Sequence, residues 1–110
     1  MTRVRIDRSR LGRDIYITGH CRNEGDSSAE ASLVCAAITT LAQTIAQNVY
    51  DSEDTGDTDI IDVTLKSGQA IISYVTDDEG LNTAVDGICK GFFMLAENYP
   101  EYVDCYGKEG

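Results

Sequence analysis

Twice along this chain a pair of alternating segments is followed by a segment with helical spacing. That order of periodicities narrows the fold more than any other feature. Val4 and Ile6 alternate with Arg3, Arg5 and Asp7, and Ile15 and Ile17 alternate with Tyr16 and Thr18. Alternation puts apolar side chains on one face of a strand, and the polar connection containing Gly12 predicts a hairpin with a loop longer than two residues. Val34, Ile38, Leu41, Ile45 and Val49 then recur at spacings of four and three, one stripe of a helix running to about Tyr50. Ala36, Ala37, Ala42 and Ala46 add helix propensity. Ser27 with Glu30 fits a capping box and Ser32 is a second candidate N-cap, which leaves the helix start open by about a turn.

The second half repeats the order without repeating the sequence. Asp51 to Asp59 reads as an acidic loop. Ile61, Val63 and Leu65 alternate with Asp62, Thr64 and Lys66, and Lys66 to Gln69 reads as a turn. Ile71 to Val75 returns as a strand that Asp77 to Gly80 closes. Asn82 is the candidate cap of a second helix, with Leu81 as its staple. Its stripe is Val85, Ile88, Phe92, Leu95 and Tyr99, and Pro100 ends it. Gly87 and Gly91, one turn apart, predict close approach by another element, and Tyr102 to Tyr106 reads as a brief strand. The order β-β-α-β-β-α predicts an α+β fold, a two-layer sandwich of a mainly antiparallel four-stranded sheet with two helices on one face. At 110 residues, with no internal linker, residues 1–110 read as one domain.

Nine Lys and Arg face nineteen Asp and Glu, a net charge of -10. Nucleic-acid binding as a main task is excluded by that balance, and basic partners are favoured. No apolar run approaches the roughly 20 residues of a membrane span, and Met1 to Asp7 lacks the apolar stretch of a signal peptide. The expectation is a cytoplasmic protein whose Cys21, Cys35, Cys89 and Cys105 are free thiols. The cysteines lack CxxC spacing, so no zinc site and no metal are expected. Cys89, beside the Ile88 stripe, reads as core or interface, and Cys105 as a bystander. Asp51 to Asp62 superficially matches a calcium loop, with Gly56 at place six. Thr55 at place five and the short Asp62 at place twelve fit poorly, so a solvated acidic loop is the better reading.

His20 ends the second strand and Cys35 stands near the start of the first helix. A helix N-terminus favours thiolate, and an imidazole nearby can take the thiol proton and return it to a leaving group. Each residue also has a plainer reading: Cys35 as a small core residue among Val34, Ala36 and Ala37, and His20 as a strand-end side chain bonded to backbone.

The surrounding words favour the chemistry. Gly19-His20, a Gly-bearing loop, and Leu33-Val34-Cys35-Ala36-Ala37-Ile38-Thr39 resemble the ribosomal-processing cysteine protease family, Prp. Asn98-Tyr99-Pro100-Glu101-Tyr102-Val103 resembles that family's C-terminal Tyr-Pro segment, so the likeness spans nearly the whole chain. The resemblance implies a homodimeric endopeptidase, needing no cofactor, that removes an N-terminal extension from a bacterial large-subunit ribosomal protein by cutting after phenylalanine. It implies Cys35 as nucleophile and His20 as general base. It also implies a gating loop that carries Gly19, Asn23, Gly25 and Ser32, with Thr39 in support. Backbone N–H groups at the helix start are the expected oxyanion donors. A basic ribosomal-protein tail suits the acidic charge, and neither nucleic acid nor membrane is expected as a partner.

Three departures stand out. Cys21 replaces the family's usual alanine, Ser27 to Glu30 lengthen the loop, and Ser32 stands where an aspartate is common. The longer loop and the lost aspartate motivate a second reading, a non-catalytic relative acting as a binding or assembly module. A third, a calcium-responsive adaptor, rests only on Asp51 to Asp62.

Overall fold

A computed structural model describes residues 1–20 and 28–109. Strands β1 (Thr2–Arg8) and β2 (Gly12–Thr18) precede helix α1 (Ala29–Asp54). Strands β3 (Thr58–Lys66) and β4 (Gln69–Thr76) precede helix α2 (Glu79–Asn98), and strand β5 (Val103–Glu109) follows. The sheet order is β3-β4-β2-β1-β5. The α+β class holds, but the sheet is five-stranded and mixed rather than four-stranded and antiparallel, because β5 runs parallel to β1. Its cause lies after α2. Tyr102 and Val103 both donate backbone N–H bonds to the Tyr99 carbonyl, which turns the chain back. Thr2 N–H then donates to the Tyr102 carbonyl at 2.8 Å and starts a new ladder on the free edge of β1.

Val4, Ile6, Ile15, Ile17, Ile72, Tyr74 and Val103 point from the sheet toward the helices and are buried. They meet Val34, Ile38, Ile45 and Val49 of α1 and Leu81, Val85, Cys89 and Phe92 of α2, all buried as well. Burying each such side chain stabilises the fold by about 1.5–3 kcal/mol, the main force holding the layers together. Helix α1 also contains an 18-residue window of mean hydropathy 1.3, so by length and composition it passes for a membrane span, against the sequence expectation. Its alanines raise that mean, while its bulky stripe packs on the sheet.

Several boundaries move, each for a local reason. Ser28 is the cap of α1, its Oγ accepting from Ala31 N–H at 3.1 Å. Ser32 lies inside the helix, and Ser27 falls outside the described residues. The first four residues of the expected acidic loop are instead the last turn of α1. Nothing in Asp51 to Asp54 breaks a helix, and Gln47 Nε2 donates to Asp51 Oδ1 at 2.8 Å. Strand β3 begins at Thr58, tied in by a buried hydroxyl chain, Ser52–Thr58 at 2.6 Å and Thr58–Thr76 at 2.8 Å. A bulge between Ile60 and Asp62 turns Ile61 outward, 65% exposed, which breaks the alternation read from the sequence. Asp78, not Asn82, caps α2, accepting from Gly80 and Leu81 N–H. Asn82 is buried and accepts from the Tyr74 hydroxyl at 2.9 Å. Of the two helix glycines only Gly91 receives a neighbour: a Cβ there would lie 2.9 Å from the Leu41 methyls, whereas Gly87 faces open space.

Arg13 clamps the far end of the sheet to α2. Its guanidinium donates to both Asp86 oxygens, at 2.8 and 2.9 Å, and to the Ser9 and Gly12 carbonyls of the β1–β2 turn. Hydrogen bonding from Arg13, reinforced by its charge, holds the Asp86 carboxyl below the usual carboxylate range. A carboxyl lowered in the folded state contributes its full stability above its unfolded value and loses it as pH falls through the folded one. Arg13→Met is therefore expected to cost about 1.5–3 kcal/mol at neutral pH. The difference from the parent should narrow below about pH 4. Urea denaturation of both proteins at pH 7 and pH 3 checks this; an equal gap at the two values would mean the ion pair contributes nothing.

Candidate active site

Strand β2 leaves the sheet at Gly19, whose φ of +87° suits glycine. A Cβ there would also lie 2.5 Å from the Met1 carbonyl oxygen, so the chain can pass only because residue 19 has no side chain. Gly19 N–H donates to the Gly68 carbonyl at 2.9 Å, which binds the end of β2 to the turn joining β3 and β4. His20 follows, with its imidazole exposed and lying against Gly68.

Helix α1 brings Cys35 to the same place. The thiol is half-buried, and both it and His20 line one cleft of about 320 Å³. Ile17, Ile38, Ala42 and Ala70 supply apolar surface in the cleft, and Gln43, Lys66 and Gln69 supply polar groups. Among the described lining residues there is no carboxylate.

The expected site residues fare differently. Gly19, His20, Cys35 and Thr39 come together on the cleft. The Thr39 hydroxyl donates to the Cys35 carbonyl at 3.0 Å, so it braces the helix turn that carries the thiol and not the sulfur itself. Ser32 is exposed one turn before Cys35 and does not line the cleft. Asn23 and Gly25, like Cys21, lie outside the described residues. The position of Cys35 is also corrected. With α1 starting at Ala29, Cys35 is its seventh residue. The helix dipole acts mainly within the first turn, and only the first four N–H groups are left free. Neither a helix-start thiolate effect nor helix-start oxyanion donors therefore belong to Cys35.

Two contributors escaped the sequence reading. The sequence marks Lys66, Ser67 and Gly68 only as a turn; the β2–β4 register, with Thr18 opposite Gln69, brings that turn to His20. Gln43 had a usable signal, since Cys35, Thr39 and Gln43 are four apart on one helix face.

The other described thiols are chemically quieter. Burial pushes both Cys89 and Cys105 up to about 12, which keeps them protonated at neutral pH. The calcium-loop stretch is divided between the end of α1, a turn and β3. Among the described residues no three His, Cys, Asp or Glu side chains gather as a metal set.

Comparison with known proteins places this architecture. The fold is similar to that of SMU.848 from Streptococcus mutans, with a TM-score of 0.73 at 22% identity over 100% of this chain and 99% of that one. It is also similar to an essential ribosomal processing protease Prp from S. aureus, solved with a covalently linked product peptide. There the TM-score is 0.65 at 17% identity, covering 98% of this chain and 100% of that one. A search of curated proteins gave no match. The family model described as cysteine protease Prp matches residues 1–104, and the chain therefore belongs to the cysteine protease Prp family.

Proposed function

We propose that this protein is a cytoplasmic cysteine endopeptidase that trims the N-terminal extension of a bacterial large-subunit ribosomal protein. Cys35 is the nucleophile and His20 the general base. The observation that carries the reading is the meeting of these two side chains on one cleft, in a member of a cysteine protease family. A fold neighbour that holds a covalently linked product peptide supports a peptide substrate.

In this reading His20 takes the proton from the Cys35 thiol, and the sulfur attacks the scissile carbonyl carbon. His20 then gives the proton to the departing amine as the C–N bond breaks, leaving a thioester on Cys35. Water, deprotonated by His20, attacks the thioester, and the acid product and free thiol are released. Side chains that line the cleft and can donate to the developing oxyanion include Gln43, Lys66, Ser67 and Gln69. The apolar surface of Ile17, Ile38, Ala42 and Ala70 suits an apolar side chain beside the cut. The net charge of -10 attracts a basic substrate over longer range.

Incubation with peptides from N-terminal extensions of ribosomal proteins, followed by mass spectrometry, tests the reading. Cleavage at one bond next to an apolar residue is the expected result. No cleavage of any such peptide overturns it. Ser32 in place of the aspartate common in the family, together with the lengthened loop before it, motivates a second reading, a relative that binds the peptide without cutting it. Binding of the same peptides without cleavage is the result that selects this alternative.

The enzyme is proposed to work as a homodimer. Leu33 of α1 and Met94 of α2 are 63% and 59% exposed and flank a groove with Leu41 and Leu95 between the helices. That groove leaves apolar side chains from both helices open to solvent, where a second copy could cover them. Sedimentation at micromolar concentration should show twice the 12.0 kDa chain mass, and Met94→Glu should return the monomer. A parent protein that sediments only as the single chain removes the dimer from the proposal.

A further inference from the structure

A general base works only if its ring is held, and thiol sites usually assign that task to a third group. Ser32 does not line the cleft, and no described lining residue offers a carboxylate for the purpose. The neighbour that the geometry does supply is the turn between β3 and β4. A Cβ built on Gly68 would lie 2.7 Å from His20 Nε2, 3.1 Å from Cε1 and 3.5 Å from Cδ2. The imidazole thus rests where a side chain at residue 68 would stand. The turn itself needs a left-handed residue there, with φ +76°. Its Gly68 carbonyl also accepts the N–H of Gly19, the residue directly before His20. One residue therefore makes room for the ring and pins the peptide ahead of it.

We propose that Gly68 is the positioning residue for His20, its bare Cα forming the seat of the imidazole and its carbonyl fixing the backbone that presents it. The proposal rests on His20 being the base. The β3–β4 turn then does for His20 what an acidic neighbour does elsewhere, by contact and register rather than by charge. Any side chain at residue 68 displaces the ring from that seat, whatever happens to the turn.

Two substitutions separate these effects. Gly68→Asn keeps a residue type that accepts positive φ but adds the Cβ. Gly56→Asn is the control: Gly56 has φ +88° and nothing within 4 Å of an added Cβ. His20 is the one histidine in the chain, so its ring protons give an unambiguous NMR signal. In the parent protein a nuclear Overhauser effect is expected between the Gly68 α-protons and the His20 ring. In Gly68→Asn the ring resonances should move and kcat for peptide cleavage should fall by about 10²-fold. KM should change less than twofold to threefold, and the pH at which cleavage rises should shift. Gly56→Asn should match the parent in all these measurements.

Cleavage within twofold of the parent, with unmoved ring resonances and pH profile in Gly68→Asn, overturns the proposal while leaving the protease reading intact. A parent that shows the Overhauser effect but cleaves nothing overturns the protease reading and leaves the seat of the ring standing. Should Gly68→Asn fail to fold, the parent's Overhauser effect decides, and its absence overturns the proposal.

Discussion

Cys35→Ala is expected to lower peptide cleavage by about 10³-fold or more, the scale at which loss of a covalent nucleophile acts. The other described thiols and the nearest hydroxyl on the helix are poor replacements. The Thr39 hydroxyl is committed to the Cys35 carbonyl, and Cys89 and Cys105 are held protonated by burial. The fold should survive, because the thiol is only half-buried and alanine removes one atom at the edge of the core. The expected destabilisation is below about 1.5 kcal/mol, the range for small losses of buried volume. Cleavage and a thermal melt measured on the same sample check both halves. A variant that melts many degrees lower would make Cys35 a core residue first. A variant that still cleaves would remove it as nucleophile.

The largest stability effect is expected at Phe92, which faces the sheet from the middle of α2 with no exposed surface. Phe92→Ala should cost about 3–5 kcal/mol, from lost transfer energy and from the cavity left behind. Against a total of about 5–15 kcal/mol that is a large share, so the urea midpoint should fall steeply. The adjacent Phe93 is 41% exposed and serves as the internal comparison. Phe93→Ala should stay within about 1 kcal/mol of the parent, as surface changes usually do. Equal losses at the two positions would contradict the packing described above.

Periodicity carried the core well, because burial imposes it directly. β1 and β2 lie and bury as their alternation indicates, β3 and β4 lie where the sequence marks strands although alternation fails at Ile61, and the stripes from Val34 and Val85 pack into the core. Caps were less legible. Ser28 and Asp78 cap the helices although neighbouring residues are equally good hydrogen-bond acceptors, so residue type alone does not mark the cap. The bulge at Ile61 was invisible, since it depends on pairing with β4 and not on β3 alone. For the site, a Gly-His at a strand end and a thiol on a helix were readable as local words, and their shared cleft followed. The contribution of Gly68 was not readable, because strand register brings residues 48 apart in sequence together and no local pattern records it. The thiol's place two turns into α1, which removes the helix-start argument, depended on that same uncertain cap.

Of the described elements β5 leaves a ribosome last, yet its partner β1 leaves first. Thr2 pairs with Val103 across nearly the whole length of the chain. Throughout synthesis β1 therefore presents a row of open backbone donors and acceptors, the kind of edge on which strands of other molecules assemble. Native closure is a contact of very high sequence separation, which slows folding by loop entropy. Nascent chains carry that open edge until the segment after Asn98 arrives, and truncated chains that lack it carry the edge permanently, so association between unfinished copies is the hazard this topology builds in.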